Sequence, residues 1–337
     1  MDGVYDSKRL SYNGAETQKE AFLTPTDQRS SNKGFWIAIA SAIILSFTGI
    51  LIRLVSEEYH LPALILAFWR DFFVVACALP FLLIFRPKLL QVPKQQWPFL
   101  ALYGLFLALF NILWTLAVTL TGAAVATVLV YSSAGFTALL GWLFLKEKLG
   151  PKKILAVILC MTGCVLVSGA TNAAAWQTNP LGIITGLLSG LLYAIYSLMG
   201  RRATQRGLNP WTTLFYTFLF AAMILLATNL LPLNFIPATA SKPSEMFFLG
   251  TQWRGWLLLV LLAAGPTLIG FGLYNMSLVL LPSSTANLIL TLEPVFTTLT
   301  AYLLLGEQFT PLEWLGSLLI LTALVVLRLR HPQVRTG

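Results

Sequence analysis

Three ionisable residues are embedded in apolar sequence: Arg70 and Asp71 in LILAFWRDFFVVACALPF, and Glu293 in ANLILTLEPVFTTLT. A charge held in hydrocarbon costs roughly 2.5–3.5 kcal/mol even on the mildest insertion scale, so each needs a partner, water or a ligand. An arginine at depth could hold a carboxylate. A glutamate there could hold an ammonium group or take up and release a coupling proton. The plainer alternatives are that Arg70 and Glu293 pair with each other, or that each satisfies backbone groups freed by a kink. Consecutive side chains leave a helix about 100° apart, which argues against pairing between Arg70 and Asp71. Arg53, near the end of the preceding apolar stretch, is the expected structural partner of Asp71.

Two prolines lie in similar surroundings, Pro266 and Pro294. Inside a helix they would free the carbonyls of Leu262 and Leu290, which is tolerated at depth only where protein or a watered cavity supplies a donor. A kink at Pro294 would aim Glu293 into such a cavity; a static kink is the alternative. Asn111, Trp114, Tyr131, Tyr193, Tyr196, Tyr274, Asn275 and Asn287 offer polar and aromatic lining at comparable depth, although each aromatic alone is also what helix packing or interfacial anchoring would use.

Other chemistries lack their residues. His60 and His331 both fall outside the apolar stretches. Cys77, Cys160 and Cys164 fall inside them, with Cys160 and Cys164 on one helix face but without further ligand types nearby. No metal site and no cofactor is expected. H-E-x-x-H, G-x-S-x-G and P-loop patterns are absent, and Asp71 with Glu293 is a possible carboxylate pair for a membrane hydrolase. An enzyme is not expected.

These residues must be positioned by helices in lipid. The 337 residues are 57% hydrophobic and 10% charged, against roughly 25% charged in ordinary soluble domains. From Phe35 onward, ten apolar stretches are each near the length that about 30 Å of hydrocarbon demands of a helix. They are 35–55, 64–85, 98–119, 123–145, 154–171, 181–200, 211–231, 256–276, 284–305 and 312–329. They lack the alternation of a barrel strand, so the expected fold is an all-α integral membrane protein of ten transmembrane helices. On the sixth, Gly182, Gly186 and Gly190 form a small-residue face suited to close helix packing.

With the N-terminus inside, Lys and Arg near the spans divide sixteen to two in favour of the inner segments. That places both termini in the cytoplasm, expected at the cell membrane. The net charge of +9 then reflects topology and contact with anionic lipid rather than nucleic-acid binding. Residues 1–34 are polar and of mixed charge, expected as a disordered cytoplasmic tail without a secretory or transit signal, and 330–337 form a short cytoplasmic tail. At 1.5 Å per residue, Arg70 lies roughly 9 Å below the outer boundary and Glu293 roughly 13 Å above the inner one, about 8 Å apart in height.

The sequence also repeats. GAAVATVLVYSSAGFTALLGWLFLKEKLGP, residues 122–151, lies over PSSTANLILTLEPVFTTLTAYLLLGEQFTP, residues 282–311, at a constant offset of 160. Ala126 meets Ala286, Phe136-Thr137 meets Phe296-Thr297, Glu147 meets Glu307 and Pro151 meets Pro311. The offset also relates Trp114 to Tyr274 and Thr115 to Asn275. Five spans separate corresponding points, so the second copy crosses the membrane in the opposite sense. The four lysines of KEKLGPKK against none in GEQFTPLE agree with that inversion. Two similar halves of opposite orientation around a midplane site are a feature of transporters.

The run LEPVFTTLTAYLLLGEQFTPLEWLGSLLILTALVVL, Leu292 to Leu327, resembles the C-terminal end of an EamA-type repeat in the drug/metabolite transporter superfamily. The first copy departs from it with Ser133-Ala134 in place of Glu293-Pro294 but keeps Glu147. Arg70 also falls where such proteins often carry an arginine. The resemblance spans about 35–329 and implies two five-helix repeats, 35–171 and 180–329, around a central cavity. It implies a secondary transporter of small metabolites such as amino acids, commonly an exporter, coupled to protons or a counter-substrate and working as a monomer or homodimer. The low number of deep cations argues against polyphosphate cargo. A channel or lipid-handling protein is the alternative, with the same deep polar residues lining a pore.

Overall fold

The computed structural model describes residues 25–168, 180–231, 239–240, 242–305 and 310–328. Its helices are α1 (Pro25–Tyr59), α2 (Ala63–Phe85), α3 (Trp97–Thr121), α4 (Ala123–Tyr131), α5 (Ser133–Leu145), α6 (Pro151–Val167) and α7 (Pro180–Gln205), followed by α8 (Pro210–Leu230), α9 (Trp253–Leu262), α10 (Phe271–Leu280), α11 (Ser283–Leu290), α12 (Glu293–Leu305) and α13 (Pro311–Arg328). A π-helical segment, Ala263–Gly270, joins α9 to α10.

Helix stands at all ten expected positions. Eight segments are long and apolar enough to cross a membrane: Ser30–Ser56, Ala63–Phe85, Lys94–Thr121, Val125–Leu145, Pro180–Gln205, Pro210–Leu230, Trp253–Leu280 and Pro311–Arg328. The other two expected spans are α6, of 17 residues, and the ninth, which is divided into α11 and α12. Helix α1 starts at Pro25, ten residues inside the expected polar tail. Residues 1–24, the Glu307 loop and the 330–337 tail lie outside the described residues.

Proline opens α6, α7, α8 and α13, where its missing N–H costs nothing and its fixed φ suits a first turn. Asn209 caps α8 by accepting from the Trp211 N–H at 2.9 Å, and Thr310 with Glu313 forms a reciprocal capping box on α13. Large apolar side chains point outward around the bundle, among them Phe81, Ile84, Phe144, Leu303 and Leu318, while Asp71, Asn111, Asn275 and Asn287 are buried. So much exposed apolar surface calls for lipid.

The repeat is visible in the helices themselves. Starts at Ala123, Ser133 and Pro151 recur 160 residues later at Ser283, Glu293 and Pro311. Each copy breaks its fourth span with the same turn: the Ser132 N–H donates to the Leu129 carbonyl at 3.2 Å and the Leu292 N–H to the Ile289 carbonyl at 3.1 Å. Pro294 therefore does not kink a continuous helix as the sequence suggests; it occupies the first turn of α12, and Glu293 is that helix's first residue. At Pro266 the freed Leu262 carbonyl accepts from the Thr267 hydroxyl at 2.8 Å, so protein rather than water satisfies it.

Close approaches rely on glycine. Gly186 faces Leu129 of α4, and a Cβ on Gly190 would sit 2.5 Å from Ser132 Oγ. Where α6 crosses α13, a Cβ on Gly163 would meet the Gly316 carbonyl oxygen at 2.7 Å, and one on Gly316 would meet the Gly163 carbonyl oxygen at 2.6 Å. Backbone cannot swing aside. Gly163→Leu should therefore cost about 1–3 kcal/mol and lower the melting temperature of the purified protein, whereas Gly265→Ala, where a Cβ meets open space, should leave it essentially unchanged.

Candidate functional site: a cavity between the two halves

A cavity of ≈ 540 Å³ opens between the halves, with walls from α1 to α7 and α10 to α12. Its polar side chains include Arg70, Asn111, Tyr131, Asn287 and Glu293, and Trp114, Tyr193 and Pro294 also line it. Phe110, Phe271 and Leu290 supply apolar surface. Arg53, which is exposed, and Ser168 line it at the end of the bundle where α1 gives way to α2.

Arg70 and Asp71 do pair, contrary to the expectation from helix geometry. Arg70 Nε donates to Asp71 Oδ1 at 3.0 Å and Nη2 lies 3.0 Å from the same oxygen. Nη2 also donates to Asn111 Oδ1 at 3.0 Å, and Asn111 Nδ2 closes the ring on Asp71 Oδ2 at 3.2 Å. Although the Cβ bonds diverge, the long arginine stem folds back far enough for its planar fork to reach the carboxylate. Asp71 is fully buried and both of its oxygens are engaged here, so the expected Arg53–Asp71 pair is replaced by this triad. Arg53 lines the cavity instead. The Arg70 side chain keeps 12% exposure.

Glu293 starts α12 at the cavity wall, where the helix's positive end favours its carboxylate, and it interacts with the Tyr131 hydroxyl. Thr297, one turn on, anchors α12 to α1 by donating to the Ser46 carbonyl at 3.1 Å. Asn287 joins the cavity to its floor: its Nδ2 donates to Thr137 Oγ1 at 2.9 Å and to Ser197 Oγ at 3.1 Å, and Tyr274 donates to the same Ser197 oxygen at 2.7 Å.

Below that layer the bundle is sealed. Tyr193 stacks on Tyr196 with ring centroids 5.9 Å apart, and Tyr103 lies 4.7 Å beyond. Tyr103, Tyr196 and Tyr274 are fully buried. Asn275, expected in the lining, belongs to this sealed side: it is 3% exposed and flanks Gly200 together with the Tyr103 hydroxyl. The offset that pairs Asn275 with Thr115 therefore does not give a symmetric lining, because one end of the bundle is open and the other closed. Sequence reasoning missed Thr48, Thr127, Ser133 and Thr298 in the wall; small hydroxyls bury cheaply anywhere in a helix and carry no signal.

The EamA-like transporter family matches twice, at 32–169 and at 180–329. The chain belongs to the EamA-like transporter family. This EamA-like protein is thus a multi-pass integral membrane transporter and not an enzyme, and its double match agrees with the duplicated helices. It is similar to an uncharacterized transporter of Synechocystis, 24% identical and covering 90% of this chain and 95% of that one. The uncharacterized inner membrane transporter YicL of Salmonella typhimurium is also 24% identical, over 89% and 96%. The uncharacterized transporter YwfM of Bacillus subtilis is 28% identical over 74% and 79%. A crystal structure at 17% identity shares the fold, with a TM-score of 0.71 over 88% of this chain and 96% of the other.

The triad carries a stability prediction. Asp71→Ala leaves the Arg70 guanidinium uncompensated and should cost about 3–5 kcal/mol, read as a lowered melting temperature in detergent, while Arg70→Met/Asp71→Leu should recover most of that loss.

Proposed function

We propose that this transporter is a secondary carrier that exports small amino-acid-like metabolites by alternating access between two inverted five-helix repeats. The observation that carries the reading is a cavity walled by both halves, open at one end and sealed at the other. A volume of ≈ 540 Å³ suits a small-molecule site, for which about 300–1,000 Å³ is usual. The Lys and Arg distribution supports an assignment of the sealed end, with Arg201 and the Lys146–Lys153 loop, to the cytoplasm of the cell membrane, with both termini on that side.

In this reading the Tyr131-backed Glu293 carboxylate takes the substrate ammonium or a coupling proton. The exposed part of Arg70 attracts a carboxylate while Asp71 and Asn111 hold its fork in place. Asn111, Trp114, Tyr131, Tyr193 and Asn287 orient the rest of the cargo. Asn275 and Tyr274 would join the lining only when the cytoplasmic end opens. A channel is the weaker reading, since a pore would leave no three-tyrosine seal across one end. Each chain encloses its own cavity, so the mechanism serves a monomer or a homodimer alike.

In proteoliposomes, the purified protein should show saturable uptake and counterflow of labelled amino acids. Glu293→Gln and Arg70→Ala should each reduce the rate about tenfold or more. Non-saturating flux without counterflow, or wild-type rates in both variants, would overturn the reading.

A further inference from the structure

At the sealed end, the loop after α5 reaches across to the other half. Lys146 adopts a left-handed conformation (φ 55°) that ends α5, and the Glu147 N–H donates to the Gly141 carbonyl at 3.0 Å, turning the Glu147 side chain toward α11. Its Oε1 accepts from the Ser283 N–H and from Ser283 Oγ, both at 2.6 Å. Its Oε2 accepts from the Ser284 N–H at 3.2 Å and from the Ser284 hydroxyl. Lys153 Nζ donates to Ser284 Oγ at 2.8 Å, adding a cation behind the second hydroxyl. Ser283 and Ser284 are fully buried. One carboxylate thus receives four donors at the positive end of a helix, from residues more than 130 positions away, and charge-assisted bonds of this kind are roughly twice as strong as neutral ones.

The repeat makes this contact asymmetric. At the offset of 160, Ser283 and Ser284 correspond to Ala123 and Ala124, Lys153 to Glu313 and Gly141 to Ala301. The other copy lacks both hydroxyl donors, replaces the cation with an acid, and carries alanine in place of Gly141. A Cβ on Gly141 would lie 2.8 Å from Glu147 Oε2. Glu313 is moreover committed to its own helix, accepting from the Thr310 N–H at 2.7 Å.

We infer that the Glu147–Ser283–Ser284–Lys153 cluster is a one-sided latch that holds the two halves together at the cytoplasmic end and sets the resting conformation open to the outside. The inference rests on the alternating-access reading above. Loading from the cytoplasm requires the latch to part, and because its repeat counterpart lacks both hydroxyls and the lysine, the carrier returns to the outward-open state without needing substrate to pull it there.

The test uses full-length protein in membrane vesicles of either orientation, in a background without native cysteines and with a membrane-impermeant thiol reagent. A Leu278→Cys reporter reads the sealed end, where Leu278 is fully buried, and a Thr48→Cys reporter reads the cavity wall. Glu147→Gln, Ser283→Ala/Ser284→Ala and Gly141→Ala each weaken the latch by a different route; the last displaces only the flexible end of Glu147. Each should raise labelling at 278 from the cytoplasmic face about tenfold or more and lower labelling at 48 from the outside. A Glu147→Cys/Ser284→Cys disulfide should stop counterflow, and reduction should restore it. Unchanged labelling in all three variants while counterflow proceeds normally overturns the latch and leaves the carrier reading standing. Shifted labelling when the unmutated protein itself shows no counterflow leaves the contact between the halves standing but overturns the carrier reading, and with it the role of that contact as a latch.

Discussion

Inside a bilayer no water is at hand to satisfy an exposed polar group, and the architecture follows from that constraint. The backbone meets it by being helical at all ten expected spans, and the interruptions meet it one by one. The Leu262 carbonyl released by Pro266 goes to Thr267, the turns at Ser132 and Leu292 keep short backbone bonds, and Asp71 is enclosed by Arg70 and Asn111. With these breaks satisfied internally, Glu293, Tyr131 and Asn287 are among the polar side chains that face the cavity.

The two broken spans are the elements on which a moving carrier would depend. A continuous helix resists bending, whereas α4 with α5 and α11 with α12 each have a turn where one half can move against the other. The cavity lies beside both turns: Tyr131 and Ser133 flank one, Leu290 and Glu293 the other. Binding a cargo at these residues would therefore act directly on the hinges. The glycines of α7 against α4 and of α6 against α13 let side chains such as Leu129 and Ile320 pack directly on the facing helix backbone.

Much of this was legible in the sequence, for identifiable reasons. Long apolar runs reveal spans because the bilayer fixes their length, and Arg70, Asp71 and Glu293 stand out because charge at depth is expensive. The 160-residue offset read from Phe-Thr, Glu and Pro reappears in the helix starts. The misreadings have equally physical causes. Helix geometry fixes Cβ directions but not where a long arginine ends, so the Arg70–Asp71 pair was invisible and Arg53 was given the wrong partner. Pro294 announces an interruption without distinguishing a kink from a fresh helix start. Asn275 was misplaced because an offset describes two halves as equivalent, while in any single conformation they differ; that difference is what closes one end around Tyr103, Tyr196 and Tyr274.

The account rests on the two halves crossing the membrane in opposite senses, and that can be read without knowing the cargo. Gly150 and Thr310 are repeat counterparts, each directly preceding the proline that opens the last helix of its half. Single Gly150→Cys and Thr310→Cys variants, labelled in intact cells and in inverted vesicles with a membrane-impermeant thiol reagent, should react from opposite faces, Gly150→Cys from the cytoplasm and Thr310→Cys from outside. Reaction of both from the same face would contradict the inverted architecture and the carrier mechanism built on it.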